Sequence, residues 1–332
     1  MPTSAGDRKL AIRLLTRYGG EVDDYFKFWP KDKLYFFSSD NRAFLAYSIK
    51  YRVAACPFDP IGDQKSIEKL LIEFRDFLRR HCLGVIFIQT THKYDKLYKQ
   101  VGWHRLIVGS DALIDIDNFL AITVKNKYFR NIVNRFTKMD FHVEIARPPH
   151  PIKLISELKK VSDDWLNIPH HKEWGFLTGR FSQDYLKNLP IYILRDNKQQ
   201  AIAFTNGLPK YRKKTASIDL IRRLISAPPN SIDFLFIEIM RSLSKDDKAS
   251  YLNLGISPID GSSFAVSWVE KGIMTFYRSS YKWVGFKGLH HFKAKYQPEW
   301  EPRYVYYSGP FISLAVKGLT ILKLMLQDEI KV

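Results

Sequence analysis

Cations interleaved with aromatic rings are the residues whose chemistry stands out. In WVGFKGLHHFKAKYQPEWEPRY (residues 283–304), Lys287, Lys293, Lys295 and Arg303 alternate with Trp283, Phe286, Phe292, Tyr296, Trp300 and Tyr304. Ammonium and guanidinium groups bind phosphate oxygens, and ring faces stack on bases. A packed strand needs no such density of charge, and a solvated loop no such density of rings. The rings carry a second reading: Phe286, Leu289, Phe292 and Tyr296 follow the three- and four-residue steps of a helix face, which suits a core. The cations are then the functional half, as a site for the phosphates of a polyanion. A second cluster lies at residues 210–223, with six basic residues and a single acid, Asp219.

The whole chain of 332 residues follows the same balance, with 52 Lys and Arg against 34 Asp and Glu for a net charge of +18. Such an excess attracts nucleic acid or an anionic lipid surface, and its clustering suits docking better than mere solubility. Two cysteines, Cys56 and Cys82, are too few for a disulfide framework and read as buried small hydrophobes. The adjacent histidines at 170–171 and 290–291 lack the spacing of metal ligands, so no metal is expected. No stretch is apolar enough to span a bilayer, and the first residues lack a signal-peptide core, so a cytosolic protein is expected.

The elements that must position these groups come in two similar series. FLAYSIKYRVAAC (residues 44–56) reads as a strand pair, followed by a Pro/Gly/Asp loop and an amphipathic helix. That helix has Ile67, Leu70, Leu71, Phe74 and Leu78 on one face and Ser66 as its cap, and LGVIFIQ follows as a buried strand. In the second half, QAIAFTNGL and KKTASIDLIR are strands and LISAPPN is a proline loop. SIDFLFIEIMRSL is then a helix with Ile232, Leu235, Phe236, Ile239, Met240 and Leu243 inward, capped by Asn230 or Ser231, and SYLNLGIS is the closing strand. The proline-rich ARPPHP marks a join, giving an N-terminal domain at 1–146 and a C-terminal domain at 147–332. The repeated order resembles the acetyltransferase-like fold called GNAT: α/β, with a mixed central sheet flanked by helices in each of two tandem domains. Its loop at the helix N-terminus normally cradles the pyrophosphate of acetyl-CoA. Pro228 and Pro229 offer no N–H there, so acetyl-CoA is not expected as the acyl donor; no cofactor is expected.

Taken together, FDPIG, VIFIQTT, EWGFLTGRF, IDLIR, IDFLF, YLNLGISP and FKGLHHFKAKYQPEWEPRY resemble the C-terminal catalytic domain of the bacterial phosphatidylglycerol lysyltransferases, the multiple peptide resistance factor family. They occur in the family's order over nearly the whole chain. The resemblance implies two fused GNAT-like domains enclosing a tunnel, and transfer of a lysyl or alanyl group from aminoacyl-tRNA to a hydroxyl of phosphatidylglycerol. Well-known members also carry a multi-helix membrane part, which is not expected here. Partners would be aminoacyl-tRNA and anionic phospholipid, met peripherally at the inner face of the cytoplasmic membrane. Another lipid or a peptidoglycan precursor as acceptor, or a non-catalytic module that binds tRNA or anionic membrane, remain as alternatives.

By the same resemblance Asp219 orients or deprotonates the lipid hydroxyl, and Arg222 binds the lipid phosphate or the tetrahedral oxyanion. An Asp219–Arg222 ion pair at a strand end is the plain structural alternative. Residues three apart on a regular strand face opposite ways, so a shared pocket requires a bulge or a strand end. Glu173 would hold the amino group of the incoming ester or serve as a cap. Asn253 would be a polar tunnel residue or satisfy backbone at a strand end. The apolar tail at residues 309–332 would dock on the protein's own core or lie on a bilayer.

Overall fold

Parallel neighbours in a sheet need a crossover, and each of the two series contains one. In the first, β2 (Ala43–Lys50) pairs antiparallel with β3 (Val53–Pro57), and β3 lies parallel to β5 (Gly84–Thr90), from Val53 opposite Gly84 to Pro57 opposite Ile88. In the second, β9 (Ala201–Gly207) pairs antiparallel with β10 (Thr215–Arg223), and β10 lies parallel to β11 (Tyr251–Pro258), with Ser217 opposite Asn253. The crossovers are the helices Gln64–Arg80 and Ser231–Ser242, at the positions the periodicity gave. The α/β class and the repeated order are thus borne out. The structure, a computed structural model, describes residues 4–258 and 288–326.

The chain forms two units, one of Met1–Gly109, Trp174–Gly179 and Pro302–Val332, the other of Ser110–Glu173 and Arg180–Glu301. In the first, the sheet order is β1 (Leu34–Phe37), β2, β3, β5 and β12 (Glu299–Tyr307), with β4 (Ile61–Gly62) beside β2. In the second it is β6 (His104–Asp115), β11, β10, β9, β8 (Ile191–Arg195) and β7 (His142–Ala146). The proline-rich stretch expected to join two domains connects β7 to the helix Ile152–Leu166 within the second unit. Prolines end a strand and open a helix there, a local signal that reads the same as a linker.

Helix Gln64–Arg80 buries Ile67, Leu70, Leu71, Phe74 and Leu78, packed with Ala54, Cys56, Val85 and Phe87 of the strands beneath. Its cap is Asp63, three residues before the expected Ser66: the Asp63 carboxylate accepts from the Ser66 amide at 3.1 Å. Helix Ser231–Ser242 is buried almost all round, on Ala216, Ile218, Leu252 and Leu254. Asn230 stands at its cap in a left-handed conformation and makes no capping bond. Arg135 instead donates to the Pro229 carbonyl and to Asn230 Oδ1. The positive helix end is met by Asp233 of its own first turn, which pairs with Lys295 at 2.5 Å and accepts from the Tyr296 hydroxyl.

No described helix is long and apolar enough to cross a membrane. Cys56 is buried as expected, but Cys82 is exposed, because it follows the helix C-terminus with a positive φ of 51° that turns the chain toward β5. Burial pushes the Cys56 thiol well above its usual range. A disulfide-exchange reagent should therefore titrate one thiol, Cys82, in the native protein and a second only after denaturation. Two fast thiols would contradict this packing.

Candidate active site

The alternation along β10 sets the site. Ala216 and Ile218 lie in the core beneath helix Ser231–Ser242, so Ser217 and Asp219 face the other way. A regular strand would then send Arg222 to the core side. Instead the register with β9 slips: Asp219 stands opposite Asn206, yet Arg222 stands opposite Phe204, so three residues on β10 span two on β9. Leu220 takes a positive φ of 38° in this bulge, and the Thr205 hydroxyl donates to the Asp219 carbonyl and pins it. Directly opposed residues of an antiparallel pair share a face. Asp219, Asn206, Phe204 and Arg222 therefore line one surface, as the bulge requirement anticipated.

Each side chain on this surface is held. The Asp219 carboxylate accepts from the Tyr185 hydroxyl at 2.5 Å; Tyr185 belongs to the short helix Gln183–Leu186, capped by Ser182. Arg222 is only 4% exposed, with its guanidinium 3.8 Å from the ring centre of Trp165 and Nη2 donating to Glu173 Oε2 at 2.8 Å. Its ion-pair partner is thus Glu173 rather than Asp219. Nη1 of Arg222 is buried and has no hydrogen-bond partner among the described residues. Burial lowers the Arg222 pKa from the ordinary arginine value, and the charges of Glu173 and Asp219 oppose that shift. A guanidinium with a spare, desolvated N–H is a strong donor to any oxyanion that enters.

Asn206 and Tyr185 were missed at the level of sequence. Asn206 is fully buried, its Oδ1 also lacks a partner among the described residues, and its register places it beside Asp219. An asparagine beside Thr205 near the end of a mostly apolar strand is the signal that could have found it, since asparagine is depleted in strands. Asn253, opposite Ser217, extends the same polar row onto β11. It donates to Asp111 Oδ2 at 3.0 Å and accepts from the Gly255 amide at 2.6 Å.

Each described cation expected to form a binding face is held by protein groups of its own. Lys293 is buried and donates to the carbonyls of Gly255 and Ile256 at 2.9 and 2.8 Å. Lys295 pairs with Asp233 and lies 4.0 Å over the Phe292 ring. Arg303 belongs to the first unit, is 2% exposed and pairs with Glu21 at 3.3 Å. Burying a cation requires such partners, and a lysine in an aromatic run reads alike whether it faces carbonyls or phosphates. The rings follow the core reading: Tyr296 is buried and Phe292 packs on the same cluster. Trp283, Phe286 and Lys287 lie outside the described residues. His290 stacks on Trp300 with ring centres 4.4 Å apart.

Residues 12–307 match the family model described as phosphatidylglycerol lysyltransferase, C-terminal. The chain belongs to this family. A phosphatidylglycerol lysyltransferase of Bacillus subtilis is 31% identical over 303 residues, covering 91% of this chain and 35% of that protein. The chain thus spans about a third of the length of the curated relatives it matches. Among solved structures, L-PGS from Bacillus licheniformis has a TM-score of 0.85 at 29% identity over 97% of this chain and 98% of its own. A C-terminal domain from Agrobacterium fabrum gives 0.83 at 27% identity, over 98% of each chain.

His171 ties the site to pH. Its ring packs on Trp165, with centres 4.1 Å apart, and its Nδ1 meets the Trp165 carbonyl at 3.1 Å. Burial, the largest cause, lowers its pKa from 6.5, and the Arg222 charge acts in the same direction while the backbone bond opposes. Above pH ~6.5 the ring is neutral in both folded and unfolded chains, and stability is unaffected. Below it the unfolded chain takes up a proton that the folded site resists, so stability falls as pH falls. Urea melts between neutral and mildly acidic pH should show this decline, and His171→Gln should make it shallower. An unchanged slope would remove His171 as its source.

Proposed function

We propose that the protein transfers an aminoacyl group, lysyl or alanyl, from aminoacyl-tRNA to a hydroxyl of phosphatidylglycerol at a membrane surface. Membership of the family and the names of its relatives support the substrates. The observation that carries the chemistry is the β10 bulge, which brings a carboxylate and a desolvated guanidinium onto one face.

The reaction exchanges one ester for another. The lipid hydroxyl oxygen attacks the ester carbonyl carbon while its proton passes to the Asp219 carboxylate, which the Tyr185 hydroxyl holds in one orientation. Negative charge develops on the carbonyl oxygen, where Nη1 of Arg222 is the buried donor left to receive it. Collapse breaks the carbon–oxygen bond to the terminal ribose of the tRNA, and that oxygen takes the proton back from Asp219. The products are an aminoacyl lipid ester and a tRNA with a free terminal hydroxyl, with no change in oxidation state. Glu173 spends one oxygen on Arg222 and retains the other for the ammonium of the incoming amino acid, which needs an anionic partner once it leaves water.

A mixture of labelled aminoacyl-tRNAs incubated with phosphatidylglycerol vesicles should deliver label to the lipid extract, and the amino acid found there names the donor. Label in no lipid would leave tRNA or membrane binding as the function. Asp219→Asn should lower kcat/KM by roughly 100- to 10,000-fold with an unchanged melting temperature; near wild-type turnover would take Asp219 out of the mechanism. With a net charge of +18, tRNA affinity should fall steeply as salt rises, and a flat response would argue against phosphate contacts.

A further inference from the structure

The helix Leu314–Leu326 of the first unit presents different residues on its two opposite sides. One side is buried, with Lys317, Thr320, Ile321 and Leu324 turned inward. The other carries Ile312 of the preceding turn, then Val316, Leu319, Leu322 and Leu326, all exposed, Ile312 at 81%. Their spacing of four, three, three and four residues keeps them on one face. The family match ends at residue 307, so this face lies outside it. A contiguous apolar stripe turned to water marks a surface that something covers.

The surroundings specify the chemistry of what covers it. Lys323 is exposed beside the stripe, and the helix Leu314–Leu326 contains no aspartate or glutamate. The turn between β2 and β3 meets the same helix from its packed side, at Lys317. The Gly84 amide donates to the Arg52 carbonyl at 2.9 Å, and a Cβ built on Gly84 would stand 3.6 Å from Lys317 Nζ. That turn exposes Ile49 and Tyr51, 44% and 50% accessible, with Lys50 Nζ 5.9 Å from the Tyr51 ring centre. Apolar side chains, an amphipathic tyrosine and an exposed lysine on the helix form the composition that inserts at the boundary of an anionic leaflet. A second copy of this chain fits less well, because each would bring a net charge of +18 to the contact.

We infer that the outer face of helix Leu314–Leu326 and the adjoining turn at residues 49–52 form a docking surface for an anionic phospholipid bilayer. The purpose of this docking rests on the lipid-acceptor reading above; the docking itself does not. Sedimentation with vesicles tests it. The intact chain should pellet with phosphatidylglycerol-containing vesicles and far less with pure phosphatidylcholine. The triple variant Ile312→Ser, Leu319→Ser, Leu322→Ser should lose roughly tenfold or more in partitioning. Ile49→Ser with Tyr51→Ser, on a separate element, should weaken it in the same direction. Both variants should keep the native melt and full transfer to short-chain phosphatidylglycerol in detergent micelles.

Vesicle binding equal to the unaltered chain in both variants would overturn the inference. So would a dimer of the unaltered chain that the triple variant converts to monomer, since a second copy would then be the occupant. Binding that follows the expectation while no lipid acquires label would leave the docking surface standing and remove the transfer reading. Label entering lipid in micelles with vesicle binding unaffected would do the reverse.

Discussion

A strand turns successive side chains to opposite faces, and the candidate site exists only because β10 breaks that rule once. Without the extra residue between Asp219 and Arg222, the guanidinium would enter the core beneath helix Ser231–Ser242. The break is confined: Thr205 fixes the Asp219 carbonyl, and pairing with β9 resumes at Arg222. A bulge re-aims a side chain at little cost elsewhere in the sheet, so the core side of β10 keeps Ala216 and Ile218 in place.

Once Arg222 is turned to this face it is almost wholly desolvated, and a buried guanidinium needs both a counter-charge and hydrogen-bond acceptors. Glu173 supplies the charge, and the Trp165 face supplies an electron-rich surface at 3.8 Å. Together they leave Nη1 of Arg222 without a hydrogen-bond partner among the described residues. Asp219 is held separately by Tyr185. The two oppositely charged groups on this surface are thus each anchored by a support of their own rather than by each other.

The sequence carried the repeated strand–helix–strand order because the apolar faces of both crossover helices are regular and bounded by loops. It also carried the requirement for a bulge, since Asp219 and Arg222 are three residues apart. It did not carry the means: the positive φ of Leu220 falls on a residue that rarely adopts it, and the Arg222 counter-ion lies 49 residues earlier in the chain. The cap of the first crossover helix moved from Ser66 to Asp63 because both residues flank the same turn. Two of the cations of residues 293–303 turn inward, which the sequence does not show, for a related reason. Lys293 and Arg303 are buried on carbonyls and Glu21, and the residue type alone does not distinguish those partners from phosphate.

The central claim is that the bulge makes Asp219 and Arg222 act on one reacting ester. A double-mutant cycle on kcat/KM for lipid aminoacylation, with Asp219→Asn, Arg222→Met and their combination, tests it most directly. The double variant should be no slower than the slower single variant to within a few-fold. Losses that multiply through the cycle would mean that the two residues work independently, and would contradict the account.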